Sequence, residues 1–81
     1  MNRREKIIYK QAIKDEWEVL NNGYPDFLLY KKQTNEAIFI EVKSQTARDK
    51  KQQGGELTPN QERMHQILKN LGFTVKVVYI K

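Results

Sequence analysis

Two acids and a lysine carry the chemistry that this sequence can be expected to do. Asp26 opens a short apolar run, Phe27-Leu28-Leu29-Tyr30, and Glu41 and Lys43 close a second, Ala37-Ile38-Phe39-Ile40. Runs of this length predict paired β-strands joined by the polar segment from Lys31 to Glu36, and a packed strand has little use for an acid. Side chains alternate along a strand, so Glu41 and Lys43 share a face. A carboxylate opening one strand and a carboxylate with an amine closing its neighbour then converge on one point. Oxygen ligands beside an ammonium suit a divalent cation held against a scissile phosphate. Taken alone, Glu41 and Lys43 would be a surface ion pair contributing about 0–1 kcal/mol. Asp26 on the adjoining strand makes the set a constellation.

The elements that must position these residues follow in chain order. Met1 to Lys14 has helical character, with Ile8, Ala12 and Ile13 at helical spacing and charges elsewhere. Glu5 falls on the apolar side near the start of that helix, where an acid ordinarily complements the helix dipole. Asp15 to Leu20 alternates as a first strand, and Asn22-Gly23 predicts a tight hairpin into a second strand over Pro25 to Lys31. Pro25 cannot donate to a ladder, which leaves the backbone beside Asp26 partly open. Apolar residues on both faces predict that this second strand is central and covered on both sides. Gln33-Thr34-Asn35 turns the chain into a third strand, Ala37 to Lys43, with Ile38, Ile40 and Val42 on one face and Phe39, Glu41 and Lys43 on the other.

Ser44 to Leu57 reads as a long polar connection carrying Arg48, Lys50 and Lys51, either solvated or placed to meet phosphates. Thr58-Pro59-Asn60-Gln61 announces a helix with a capping box and proline at the first position, which gives Gln61 a complete structural role. Met64, Ile67, Leu68 and Leu71 predict its buried stripe, and His65, off that stripe, is expected at the exposed rim. Gly72 stops the helix before a last strand, Phe73 to Ile80. A helical crossover between the third and fourth strands allows them to be parallel. The reading is an α/β domain with a mixed four-stranded sheet and flanking helices.

Composition narrows the chemistry further. The 81 residues make one domain, 1–81, and contain no cysteine and a single histidine, which excludes thiolate and histidine-rich zinc sites. Fifteen Lys and Arg against ten acids give a net charge of +5, which suits a polyanionic partner, although composition alone reads by default as a generic basic surface. No apolar run reaches the length of a membrane span and no signal-peptide core opens the chain, so a soluble, cytoplasmic protein is expected. Ser44, the only serine, has no evident base partner for nucleophilic catalysis.

Pro25-Asp26 followed fifteen residues later by Glu41-Val42-Lys43, within Gly23-Tyr24-Pro25-Asp26-Phe27 and with Gln61 beyond, resembles the PD-(D/E)xK nuclease signature and, within it, the VRR-Nuc group. The resemblance covers Glu5 to the C-terminus and implies a restriction-endonuclease-like fold in the order helix, three strands, helix, strand. It also implies that Asp26, Glu41 and the Val42 carbonyl ligate Mg²⁺ or Mn²⁺, with Glu5 completing the site. Lys43 would orient the attacking water, and Gln61 would approach the lysine and the cleaved phosphate. Arg48, Lys50, Lys51 and Ser44 beside such a centre would meet DNA phosphates. Stand-alone members of the group occur in phages and act on branched DNA, which implies a metal-dependent endonuclease of four-way (Holliday) junctions, acting in a host cell. A chain this small has a limited core, so a homodimer pairing through Val78, Ile80 or Trp17 is expected. The rivals are a DNA-binding module without chemistry, and a restriction-type or DNA-end nuclease of the same fold.

Overall fold

The computed structural model describes residues 1–21 and 25–81, so the predicted Asn22-Gly23 hairpin and the Gly23-Tyr24 part of the motif lie outside the described residues. The elements are α1 (Arg3–Lys14), β1 (Glu18–Leu20), β2 (Phe27–Lys31), β3 (Glu36–Ser44), α2 (Gln45–Asp49), α3 (Pro59–Asn70) and β4 (Thr74–Ile80). The strands form one four-stranded sheet in the order β1-β2-β3-β4. The first three are antiparallel and β4 runs parallel to β3, as the helical crossover allows. Among the described residues no helix is long and apolar enough to cross a membrane.

The core lies between α1 and one sheet face. Asn2 caps α1 by accepting from the Glu5 amide at 2.8 Å, and Ala12 on the inner side meets Phe27, Leu29 and Ile40, with Ile8, Tyr9, Val42 and Val78 around them. Phe27 is fully buried. Side-chain alternation puts Glu41 and Lys43 on the opposite face, which is how a hydrophobic core and a polar site share one strand. Predicted strand β1 begins later than the alternation suggested. The amides of Asp15 and Trp17 return to the carbonyls of Gln11 and Ala12, and Glu16 turns the chain at φ 66°, so those residues end the helix. Trp17 and Val78, whose outer sides were expected at a subunit interface, pack against the core and are partly buried.

The connection after β3 contains a short helix that its composition did not reveal. Ser44 caps α2, its Oγ accepting from the Ala47 amide at 3.0 Å, and the chain then folds back through Gln52 N–H to the Ala47 carbonyl at 2.7 Å. Gly55 is buried against this turn, and a Cβ there would lie 2.2 Å from the Arg48 nitrogen. Gly55→Ala should therefore destabilise the protein by about 1–3 kcal/mol, lowering the melting temperature by about 4–8 °C for each kcal/mol. A melting curve superimposable on that of the unmodified protein would show that the turn can relax.

The far helix, α3, begins as its sequence predicts. Thr58 and Gln61 form the reciprocal capping box with Pro59 inside it, and Gly72 takes the left-handed conformation at φ 93°. Its stripe is reversed, however. Met64, Ile67 and Leu71 are 44%, 40% and 69% exposed, whereas His65 is 4% exposed. The inner row of the helix is Gln61, His65 and the half-buried Leu68, at helical spacing. The polar residues thus occupy the side that faces the sheet, and the apolar row is displaced outward.

Candidate active site

The site forms where β2 and β3 part. Their ladder ends at the pair Phe27 and Ile40, and Pro25 supplies no amide with which to extend it. Beyond that point side chains replace the missing ladder bonds. The Asp26 amide donates to Glu41 Oε2 at 3.3 Å, and the Val42 amide donates to Asp26 Oδ2 at 2.7 Å. Each acid is thereby fixed by the other residue's strand, which brings two carboxylates together across the gap. Lys43 Nζ lies 3.6 Å from Glu41 Oε1, both side chains being largely buried. Gln61 reaches in from the first turn of α3, its Nε2 donating to Glu41 Oε1 at 3.3 Å while its Oε1 accepts from the Thr58 amide at 3.0 Å. One glutamine serves the cap and the site together.

The electrostatics of Glu41 show what this arrangement lacks. Burial, and then the neighbouring charge of Asp26, push its carboxyl above the ordinary value, and the Asp26 amide and Lys43 only partly oppose them. A buried carboxylate with a second, half-buried acid and one amine beside it is short of positive charge. The donors on offer are hard oxygens, which suit Mg²⁺ or Mn²⁺ and fit no soft or thiophilic metal. Among the described residues no three Asp, Glu, His or Cys side chains converge, so Glu5 does not join Asp26 and Glu41. Its partly buried position in the first turn of α1, with its amide bonded to Asn2, is accounted for by the helix start.

His65 is the neighbour that sequence reasoning misplaced. It follows Gln61 by four residues, so it faces the sheet on the same side of α3 and is buried there. Burial, with the charges of Lys69 and Lys43 adding, holds its pKa below the ordinary value, so the imidazole is neutral at neutral pH. The spacing from Gln61 was the available signal.

The loop residues divide by role. Arg48 is tied down: its Nε lies 3.0 Å from Glu56 Oε1, and its guanidinium sits 4.1 Å from the centre of the Tyr79 ring. Tyr79 is the register partner of Lys43 on β4, so Arg48 roofs the strand beside the site with its charge already partnered. Ser44 is engaged as the α2 cap. Lys50 and Lys51 are exposed beyond the end of that helix.

A mixed α/β sheet whose strands part around an acid pair, with a lysine one side-chain step further along the same strand face, defines a nuclease-type domain. Comparison by sequence agrees: the family model for the VRR-NUC domain matches residues 2–81, and the chain belongs to that family. Comparisons with curated proteins and with solved structures returned no significant match.

Proposed function

We propose that this protein is a Mg²⁺- or Mn²⁺-dependent endonuclease that hydrolyses phosphodiester bonds in branched DNA, with four-way junctions as the preferred substrate. The observation that carries the reading is the Asp26–Glu41 pair, two acids held together by each other's strand and left with too little positive charge. A pure DNA binder gains nothing from two acids facing a phosphate. Asp26, Glu41 and the Val42 carbonyl are the groups that would hold the cation. When bound, it would activate water and neutralise charge on the phosphate. Lys43 orients the attacking water and steadies the charge that develops on the phosphate oxygens, as a compact ammonium can. Gln61 keeps Glu41 Oε1 aligned through the bond it already makes.

The same reading includes a symmetric homodimer. Support for it comes from Met64, Ile67 and Leu71, an apolar row on α3 that the monomer leaves exposed. Two-fold pairing presents two sites related as the exchanging strands of a junction are. Cleavage of linear, flap, three-way and four-way DNA, alongside light scattering of the free protein, tests both parts. Junctions should be cut in preference to linear duplex, and Ile67→Glu should convert a dimer into a monomer. Equal cutting of all four substrates by a strict monomer would overturn the reading.

A further inference from the structure

We infer that the outer face of α1 is a docking ridge for a duplex arm of DNA, formed by Lys6, Lys10 and Lys14. The inference rests on the nuclease reading for its partner, and it concerns a surface on the opposite side of the sheet from Glu41 and Lys43.

The three lysines stand four residues apart, which stacks them in one row opposite the buried Ala12. All three are exposed. Glu5 is the only acid in the helix and lies partly buried near its inner side, and among the described residues the salt bridges involve only Lys43 with Glu41 and Arg48 with Glu56. Like charges at this spacing weaken a helix. A polyanion lying along the row would supply the charge that the helix itself leaves uncompensated.

The placement of α1 gives the row its direction. Arg4 Nε donates to the Ile80 carbonyl at 2.9 Å, and Arg3 donates to the carbonyl of Lys81. Ile80 pairs with Ser44 and Tyr79 with Lys43, so the first turn of α1 is pinned at the sheet end that carries the site. The helix then crosses the core face to the opposite end, where Trp17 follows it and Lys31 Nζ lies 4.6 Å from the indole centre. From Lys6 to Lys14 the row spans about 12 Å, roughly a third of a duplex turn. A duplex arm lying on it would have one end at the sheet end that carries the acid pair, across the sheet from it. Backbone contacts of this kind position DNA without reading its sequence.

The test is a salt series. Binding of a fluorescent 30-base-pair duplex is followed by anisotropy in chelator, so that nothing is cleaved, for the unmodified protein, for the triple variant Lys6→Gln, Lys10→Gln, Lys14→Gln, and for the triple arginine variant. Loss of three phosphate contacts should reduce the slope of log affinity against log salt by about 2.7 and lower affinity about tenfold or more at low salt. The arginine variant should keep both, and the glutamine variant should melt at or above the temperature of the unmodified protein. A slope unchanged in the glutamine variant would overturn the ridge while leaving the nuclease reading standing. Loss of binding to vesicles containing anionic lipid, with the DNA slope unchanged, would overturn it in favour of a membrane surface. Unmodified protein that fails to bind any DNA would overturn both readings.

Discussion

Lys43→Ala should cut DNA about 10²–10³-fold more slowly than the unmodified protein at saturating DNA, the loss expected when one preorganised charge donor is removed. The variant should bind DNA and keep its secondary structure by circular dichroism. Part of the loss has a second source. The Lys43 charge opposes the burial and the Asp26 charge that push the Glu41 carboxyl upward, so its removal pushes that carboxyl higher still. Raising the pH favours the ionised form of Glu41 and would recover that part only, because no buffer component replaces the ammonium at the phosphate. Lys43→Arg should not rescue, since a planar fork is a poor substitute for a compact charge at a buried site. Full activity in the alanine variant at neutral pH would remove Lys43 from the mechanism.

Glu41→Gln should abolish cleavage and, without divalent cations at neutral pH, raise the melting temperature. The sign follows from the direction of its shift. A carboxyl held above its unfolded value contributes most below that unfolded value, and the contribution is lost as pH rises through the folded value. Ionised Glu41 therefore weakens the cation-free fold at neutral pH, and a neutral isostere that can still accept the Asp26 amide relieves the cost. The melting difference should vanish below the ordinary carboxyl range near 4.5 and grow as pH increases. Added Mg²⁺ should stabilise the unmodified protein and leave the variant unmoved, because a ligand that binds only the folded state raises its stability. A variant that melts lower than the unmodified protein in chelator at neutral pH would contradict the account of Glu41 as a strained acid.

Much of this site was legible because strand alternation is a strict rule. Once Glu41 and Lys43 were placed two apart on a strand ending beside Asp26, the backbone left few other arrangements, and Pro25 marked where the ladder must open. Gln61 was legible for a different reason, since the capping box fixes its position at the helix start whatever else it does. The rest of α3 was not. Reading Met64, Ile67, Leu68 and Leu71 as buried assumed that a helix turns its apolar row toward its own sheet. Here Gln61 and His65 take that side, Gln61 bonding to Glu41, and Met64 and Leu71 lie outside. Helix α2 was hidden because five residues carry no usable period and its cap, Ser44, also ends a strand. Arg48 read as a free cation because its partners, Glu56 and Tyr79, meet it only after the chain has turned back at Gly55.

The Asp26–Glu41 pair is proposed to hold a divalent cation for phosphodiester hydrolysis. The most direct measurement of that role is strand cleavage of a labelled four-way junction by the unmodified protein and by Asp26→Asn, side by side, with Mg²⁺ or Mn²⁺ and with EDTA. Cleavage should occur only for the unmodified protein with metal, and Asp26→Asn should still bind the junction at least as tightly, having lost a charge that repels phosphate. Cleavage that persists undiminished in EDTA, or that survives Asp26→Asn, would contradict the account.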